Sequence, residues 1–109
     1  LHGDLHHWNV LSAERAPWLA IDPKGIVGDP CYEFHALFGN YPENSCKGRD
    51  RGKLLERRVD ILVEELGLSR ERILSWGWSS AVLHASWSAE VGGDWRESIE
   101  RAETLEGLI

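Results

Sequence analysis

The sequence predicts an α+β fold that is mainly helical, with one β-hairpin at its start and about four helices after it. Two short apolar runs lie on either side of a polar connection that ends in Pro17, which is typical of a hairpin with a longer loop. Apolar residues then recur at three- and four-residue steps over residues 49–66 and again over about 70–91. This spacing indicates two long amphipathic helices after the hairpin.

The composition is that of a globular domain. The chain has 109 residues, of which 42% are hydrophobic and 28% charged, enough for one small domain with a modest core. The net charge of −6 argues against nucleic acid as a partner, because a phosphate backbone calls for a basic surface. An acidic balance suits a cationic substrate, but solubility alone is the more common reason for it.

The cysteines and the apolar runs predict a reducing environment. Cys31 and Cys46 form neither a disulfide framework nor a metal motif, and Cys31 is expected to be a buried free thiol. The chain shows no signal peptide and no apolar run long enough to cross a membrane. A cytoplasmic location without membrane contact is therefore expected.

The predicted hairpin brings two polar residues together. Its strands fall within residues 8–12 and 18–22, so Asn9 begins one strand and Asp22 ends the other. The two ends meet in an antiparallel pair. Trp8 and Trp18 flank the hairpin and are expected to belong to the core.

Four helices are expected after the hairpin. The first covers residues 31–38, and residues 39–48 are irregular. The helix at 49–66 ends at Gly67 and buries a regular stripe, which consists of Leu54, Leu55, Val59, Leu62, Val63 and Leu66. Ser69 caps the helix at about 70–91, whose stripe is Ile73, Trp76, Ser80, Leu83 and Trp87, widened by Ala81, Val82 and Ala85. Asp94 caps the last helix, with Glu97 completing a capping box, and that helix runs to about Leu105.

The first residues carry a pattern of phosphoryl-transfer chemistry. His2, Asp4 and Asn9 have the H-x-D-x-x-x-x-N spacing of a kinase catalytic loop, and a second acid, Asp22, follows across the hairpin. Such chemistry needs a carboxylate to accept the proton of a hydroxyl, and an amide oxygen and another carboxylate to hold Mg²⁺ on the phosphates. The alternative is structural: Asp4 caps a turn and Asn9 is a turn residue.

Other candidate residues have weaker patterns. His6 and His7 are adjacent, so their side chains diverge, and positioning of the loop is favoured over metal binding. Lys24 either contacts phosphate or substrate or is simply solvated. His35 and His84 are expected to be core or surface residues rather than ligands.

The motifs resemble those of the aminoglycoside phosphotransferase family, which has the protein-kinase-like fold. The resemblance lies in His2-Gly3-Asp4-Leu5-His6 with Asn9, in Ile21-Asp22-Pro23, and in Gly28-Asp29-Pro30 followed by Tyr32-Glu33. It is greatest to the streptomycin 6-kinase and hydroxyurea kinase branch. It implies that residues 1–109 form the C-terminal lobe of a phosphotransferase domain, without the N-terminal nucleotide-binding lobe.

The resemblance also implies roles for single residues. Asp4 would be the catalytic base, Asn9 and Asp22 would bind Mg²⁺, and His2 and Asp29 would support the loop. Gly3 stands where protein kinases have an arginine that pairs with a phosphorylated activation loop, which fits a small-molecule acceptor. The C-terminal helices would line the acceptor pocket, so contacts to a cationic, guanidinium-bearing sugar are expected from Trp78, Glu90, Asp94 and Trp95.

The implied function is ATP-dependent phosphorylation of a hydroxyl on a small molecule, with an aminoglycoside such as streptomycin as the expected acceptor and antibiotic resistance as the result. Hydroxyurea or another small metabolite is the alternative acceptor. An alternative of another class is a catalytically silent fragment or a non-enzymatic binding module. The chain opens directly on the catalytic motif, with no glycine-rich phosphate loop before it, so the isolated chain is expected to be inactive.

Overall fold

The computed structural model describes residues 1–40 and 50–109 and has the predicted mainly helical α+β architecture. Within this part of the chain, a two-stranded hairpin is followed by four α-helices. The strands are β1 (Val10–Ser12) and β2 (Trp18–Ala20), and the helices are α1 (His35–Phe38), α2 (Arg51–Leu66), α3 (Arg70–Glu90) and α4 (Arg96–Leu108). Two 3₁₀ turns, His7–Asn9 and Pro30–Phe34, precede β1 and α1. Most of the stretch predicted to be irregular (39–48), Cys46 and the first residue of the predicted helix 49–66 lie outside the described residues.

The hairpin is antiparallel, as predicted, but its tryptophans are not in the core. Val10 pairs with Ala20, and the ladder continues beyond the strands, since the Ile21 amide donates to the Asn9 carbonyl over 2.8 Å. Trp8 is 65% exposed and Trp18 67% exposed, so the expectation that both are buried was wrong. In the described part of the chain the strands pack mainly against each other, and a two-stranded ribbon by itself cannot bury side chains of this size.

The ends of the long helices follow the sequence signals. Asp50 caps α2 by accepting a hydrogen bond from the Gly52 amide over 2.8 Å. Gly67 ends α2 with φ of 65°, a left-handed conformation that favours glycine. The Ser69 hydroxyl accepts from the Arg72 amide over 3.4 Å, as expected of a capping serine.

Helix α4 differs from its prediction at both ends. Asp94 accepts from the Arg96 amide over 3.0 Å, but Trp95 occupies the cap position and the helix begins at Arg96. The predicted capping box does not form, because the Glu97 carboxylate instead pairs with Arg51 of α2 over 3.4 Å. The helix continues past Leu105 to Leu108.

Helix α3 is the centre of the core, and it packs on α1, α2 and α4 through small side chains. A Cβ added at Gly77 would lie 2.8 Å from Phe38 and 3.1 Å from Leu105, so the neighbouring elements approach the helix backbone itself. The large residues predicted on this stripe, Trp76, Leu83 and Trp87, are instead exposed. Apolar residues lie on most sides of this helix, so periodicity alone does not identify its buried face. The buried face is the one on which small side chains let the neighbouring elements approach the helix backbone. The buried face consists of Ile73, Leu74, Gly77, Ser80, Ala81 and Ala85.

The remaining core residues agree with the predicted stripes, with one exception. Leu55 and Val59 of α2 are almost fully buried, whereas Leu66, at the end of the same stripe, is 54% exposed. Cys31 is a buried free thiol, as predicted, and burial raises its pKa. In the described ranges no helix is long and apolar enough to span a bilayer.

Candidate active site

The loop that carries Asp4 is held in place by its backbone conformation and by hydrogen bonds to its backbone amides. Gly3 has φ of +86°, a left-handed conformation that favours glycine, and an added Cβ would lie 2.5 Å from the Ile26 side chain, which would have to move. The Glu33 carboxylate accepts hydrogen bonds from the His2 amide (2.7 Å) and the Gly3 amide (2.9 Å). Glu33 thus fixes the loop to the 3₁₀ turn before α1. No role was predicted for Glu33 from the sequence, although it follows the Gly28-Asp29-Pro30 motif closely.

The His2 ring connects the loop to the end of the hairpin. Its Nδ1 accepts from the Asp4 amide over 3.1 Å, so its proton is on Nε2, which donates to the Ile21 carbonyl over 2.6 Å. These bonds join Asp4, the predicted base, to the residue before Asp22. The supporting role of His2 remains a prediction, and these are the contacts through which it would act.

Asn9 lies between the two acids. Its side chain is buried, and Nδ2 donates to the Asp4 carbonyl over 2.9 Å, which leaves Oδ1 as the atom for a cation. Because the Asn9 carbonyl pairs with the Ile21 amide, the next residue, Asp22, lies at the same end of the hairpin. Asp22 is exposed and has φ of 55°, a region that non-glycine residues occupy rarely and often at functional sites.

This donor set suits Mg²⁺, which binds through one or two carboxylates and completes its shell with water and phosphate oxygens. Among the described residues, no three His, Cys, Asp or Glu side chains group into a metal site of their own. The predicted magnesium site differs from such a cluster. It consists of one amide oxygen and one carboxylate, and nucleotide phosphates would complete the shell.

The adjacent histidines of the loop have separate partners. His6 Nε2 lies 3.7 Å from the Asp4 carboxylate and 3.2 Å from Asn9 Nδ2, whereas the His7 ring bonds to the Asn40 side chain. If Asn9 Nδ2 donates to His6 Nε2, the His6 proton is on Nδ1, which is buried without a partner. His6 therefore contacts both the predicted base and a predicted metal ligand, a contact that sequence spacing alone does not reveal.

Asp29 and Lys24 lie beside this loop. The Asp29 carboxylate accepts from the Cys31 amide over 2.9 Å and forms an ion pair with Arg72 at the start of α3. Arg72 had no sequence signal that marked it. The Lys24 amide donates to the His2 carbonyl over 2.7 Å, and its side chain is exposed. Both predicted roles, support by Asp29 and ligand contact by Lys24, remain predictions.

A cleft of about 260 Å³ opens beside Asp4. An aromatic series runs along α1 and α3 to this cleft: Tyr32 stacks on His35 at 4.2 Å between ring centres, and His35 meets His84 edge-on at 6.2 Å. The described residues that line the cleft are Asp4, His6, Trp8, His35, Ala36, Gly39, Asn40, His84 and Arg101.

The predicted acceptor-binding residues are not among those that line this cleft. Trp78 is exposed on α3, and Glu90 is exposed at the end of that helix. Asp94 bonds the start of α4, and Trp95 stacks with the Arg96 guanidinium at 5.2 Å from the ring centre. Their role in acceptor binding stays a prediction that the geometry of the cleft does not support.

His84 gives an expected pH dependence of stability. Burial, the Arg101 guanidinium and His35 lower the pKa of His84 below its ordinary value of 6.5. Below that value the unfolded chain binds a proton that the folded chain resists, so the stability of the protein falls as the pH decreases. In His84→Gln, we expect urea unfolding of the full-length protein to show a smaller loss of stability between about pH 7 and about pH 5. An equal loss in both proteins would contradict this assignment.

A carboxylate beside a cleft, with an amide and a second acid at the same end of a hairpin, is the kind of arrangement that kinases use for phosphoryl transfer. The comparisons agree with that class. Residues 1–92 match the profile of the family described as aminoglycoside/hydroxyurea antibiotic resistance kinase. The chain belongs to this family. No solved structure matches the chain significantly.

Several relatives have named activities. Streptomycin 6-kinase of Streptomyces glaucescens is 41% identical over 92 residues, which are 84% of this chain and 30% of that protein. Streptomycin 3''-kinase of Klebsiella pneumoniae is 42% identical over 90 residues, 80% of this chain and 34% of that protein. Hydroxyurea phosphotransferase of Kitasatospora aureofaciens is 41% identical over 93 residues, 84% of this chain and 25% of that protein. The chain therefore spans about a third or less of these relatives.

Proposed function

We propose that this chain is the C-terminal, acceptor-binding lobe of an ATP-dependent phosphotransferase that phosphorylates a hydroxyl group of a small molecule. Membership of a kinase family over residues 1–92 supports the reaction class. The proposed acceptor is an aminoglycoside such as streptomycin, and the biological result is resistance to that antibiotic. The names of the streptomycin kinase relatives support this acceptor.

The observation that carries the proposal is the hydrogen bonding of Asn9. Its carbonyl pairs with the Ile21 amide, and its side chain donates to the Asp4 carbonyl. One buried residue is therefore bonded to the backbone of the proposed base and to the residue before the proposed metal ligand Asp22, which supports a single site. In the alternative, Asp4 caps a turn and Asn9 is a turn residue, and the kinetics of Asp4 and Asn9 variants separate the two.

In this mechanism Asp4 orients the attacking hydroxyl and receives its proton at the carboxylate. Asn9 Oδ1 and the Asp22 carboxylate would hold Mg²⁺, which would supply charge neutralisation for the ATP phosphates. His2 and Glu33 fix the loop so that the carboxylate meets the acceptor without reorganisation, which is the main source of catalysis in phosphoryl transfer.

Hydroxyurea is a second candidate acceptor, because the hydroxyurea phosphotransferase relative is about as similar to the chain as the streptomycin kinases are. The small cleft volume also admits a small acceptor. The two candidates differ in size and in the chemistry of their hydroxyl group, so a direct comparison of rates separates them.

The test is a transfer assay on the full-length protein that contains this chain. We expect incubation with ATP and Mg²⁺ to add one phosphoryl group to streptomycin, detected by mass spectrometry with matching release of ADP. Hydroxyurea is assayed in parallel at the same concentration. Phosphorylation of hydroxyurea alone would replace the proposed acceptor, and transfer to neither compound would favour a non-enzymatic binding module.

A further inference from the structure

Trp8 has a position that the proposed mechanism does not use. It lies in the catalytic loop immediately before Asn9, it lines the cleft that contains Asp4, and 65% of its surface is exposed. Trp18 on the same hairpin is 67% exposed but is not among the described residues that line this cleft. An exposed indole beside a proposed catalytic carboxylate offers a broad apolar face with a polar edge to a bound molecule.

The charges of the cleft restrict what that molecule is. Asp4 is the one carboxylate among the described residues that line it, and Arg101 contributes a guanidinium. His84 is uncharged near neutral pH because burial and Arg101 lower its pKa. A cationic group of the acceptor would therefore depend on the carboxylate that the proposed reaction needs as a base. A neutral, hydroxylated part of the acceptor has no such conflict.

Hydrogen-bonding groups for hydroxyls are present. His35 Nδ1 donates to the Tyr32 carbonyl over 2.7 Å, so Nε2 is the other nitrogen through which this ring can bond a hydroxyl. The cleft volume of about 260 Å³ is just below the range of about 300–1,000 Å³ for sites that enclose a drug-sized ligand. It therefore has room for one ring of a larger acceptor, with the other rings outside.

We propose that Trp8 determines acceptor specificity, as the surface on which a neutral, hydroxyl-bearing ring stacks in the cleft shared with His35 and His84. The inference rests on the proposed function and deepens it. It places the guanidinium-bearing part of a streptomycin-like acceptor outside this cleft. It assigns an aromatic contact with the acceptor to Trp8, whereas Trp78 and Trp95 were expected to contact a cationic sugar.

The experiment uses the full-length protein with streptomycin as the acceptor. In Trp8→Leu, we expect the KM for streptomycin to rise about three- to tenfold, the factor that corresponds to the loss of one aromatic contact. The kcat and the KM for ATP stay close to those of the wild type. Trp8→Phe, which keeps an aromatic face, restores most of the affinity. Trp18→Leu is the matched control, because it removes an equally exposed tryptophan of the same hairpin and leaves the KM for streptomycin unchanged.

Three outcomes would overturn the inference. One is an unchanged KM for streptomycin in Trp8→Leu, which would leave the proposed function intact. Another is a rise confined to the KM for ATP, which would place the nucleotide on Trp8. The third is a preference of the wild type for hydroxyurea, which has no ring to stack. If the wild type phosphorylates neither compound, the proposed function fails by itself. Saturation-transfer NMR with streptomycin then decides the role of Trp8: a signal lost in Trp8→Leu supports it, and equal signals reject it.

Discussion

Asp4→Asn in the full-length protein is expected to lower kcat about a hundred- to ten-thousand-fold, the usual contribution of a positioned general base. The asparagine amide has the shape of the carboxylate but cannot receive the proton of the acceptor hydroxyl. The loop itself should keep its conformation. The His2 and Gly3 amides donate to the Glu33 carboxylate, and the Asp4 amide donates to the His2 ring, so none of these bonds involves the Asp4 carboxylate. The measurement is steady-state kinetics with streptomycin as the varied acceptor.

Glu14→Gln is the control for this variant. It makes the same change from carboxylate to amide at an exposed position in the connection between β1 and β2, away from the cleft. We expect its kcat to equal that of the wild type. If Asp4→Asn retained more than about a tenth of the wild-type kcat, Asp4 would not be the base, since even modest general-base catalysis contributes about a hundredfold.

Leu55→Ala is expected to lower the free energy of unfolding by about 2–5 kcal/mol, the range for deletion of a large buried aliphatic side chain. Leu55 is 1% exposed in the cluster with Val59 and Ile73, so the substitution leaves a cavity rather than a surface change. The measurement is urea unfolding of the full-length protein, followed by tryptophan fluorescence.

Leu66→Ala provides the matched comparison within the same helix. It makes the same substitution at a position that is 54% exposed, so we expect an effect of about 0.5 kcal/mol or less. A loss in Leu66→Ala as large as that in Leu55→Ala would show that the end of the stripe is buried as well, as sequence periodicity predicts.

Much of the fold follows from local signals in the sequence. The hairpin, the order of the helices and the ends of α2 depend on turn residues, caps and periodicity, which act within a few residues. The buried face of α3 does not follow from local signals, because apolar residues lie on most sides of that helix and only tertiary packing determines which face is buried. Gly77 determines the buried face, because the absence of a side chain there lets Phe38 and Leu105 pack against the helix backbone. The exposure of Trp8 depends likewise on what packs against the hairpin.

The candidate site likewise contains some residues that local sequence patterns indicate and others that they do not. Asp4 and Asn9 are predicted from the spacing of a motif and Asp22 from the end of the predicted hairpin, and both are local features of the sequence. Glu33, Arg72, His6 and the cleft residues His84 and Arg101 act through contacts between segments that are distant in sequence or through side-chain orientation. Spacing along the sequence reveals neither the contacts between distant segments nor the orientation of side chains.

The bonds of Glu33 and Asp29 have a consequence for how this site tolerates change. The short segment Pro30–Phe34 bonds the catalytic loop through Glu33, and Asp29, just before it, pairs with Arg72 of α3. The position of Asp4 is therefore set by the helical body and not by the far end of the hairpin. We therefore expect that the connection between β1 and β2 can vary in length and sequence without displacing Asp4, whereas a change in the first turn of α3 would be transmitted to that residue.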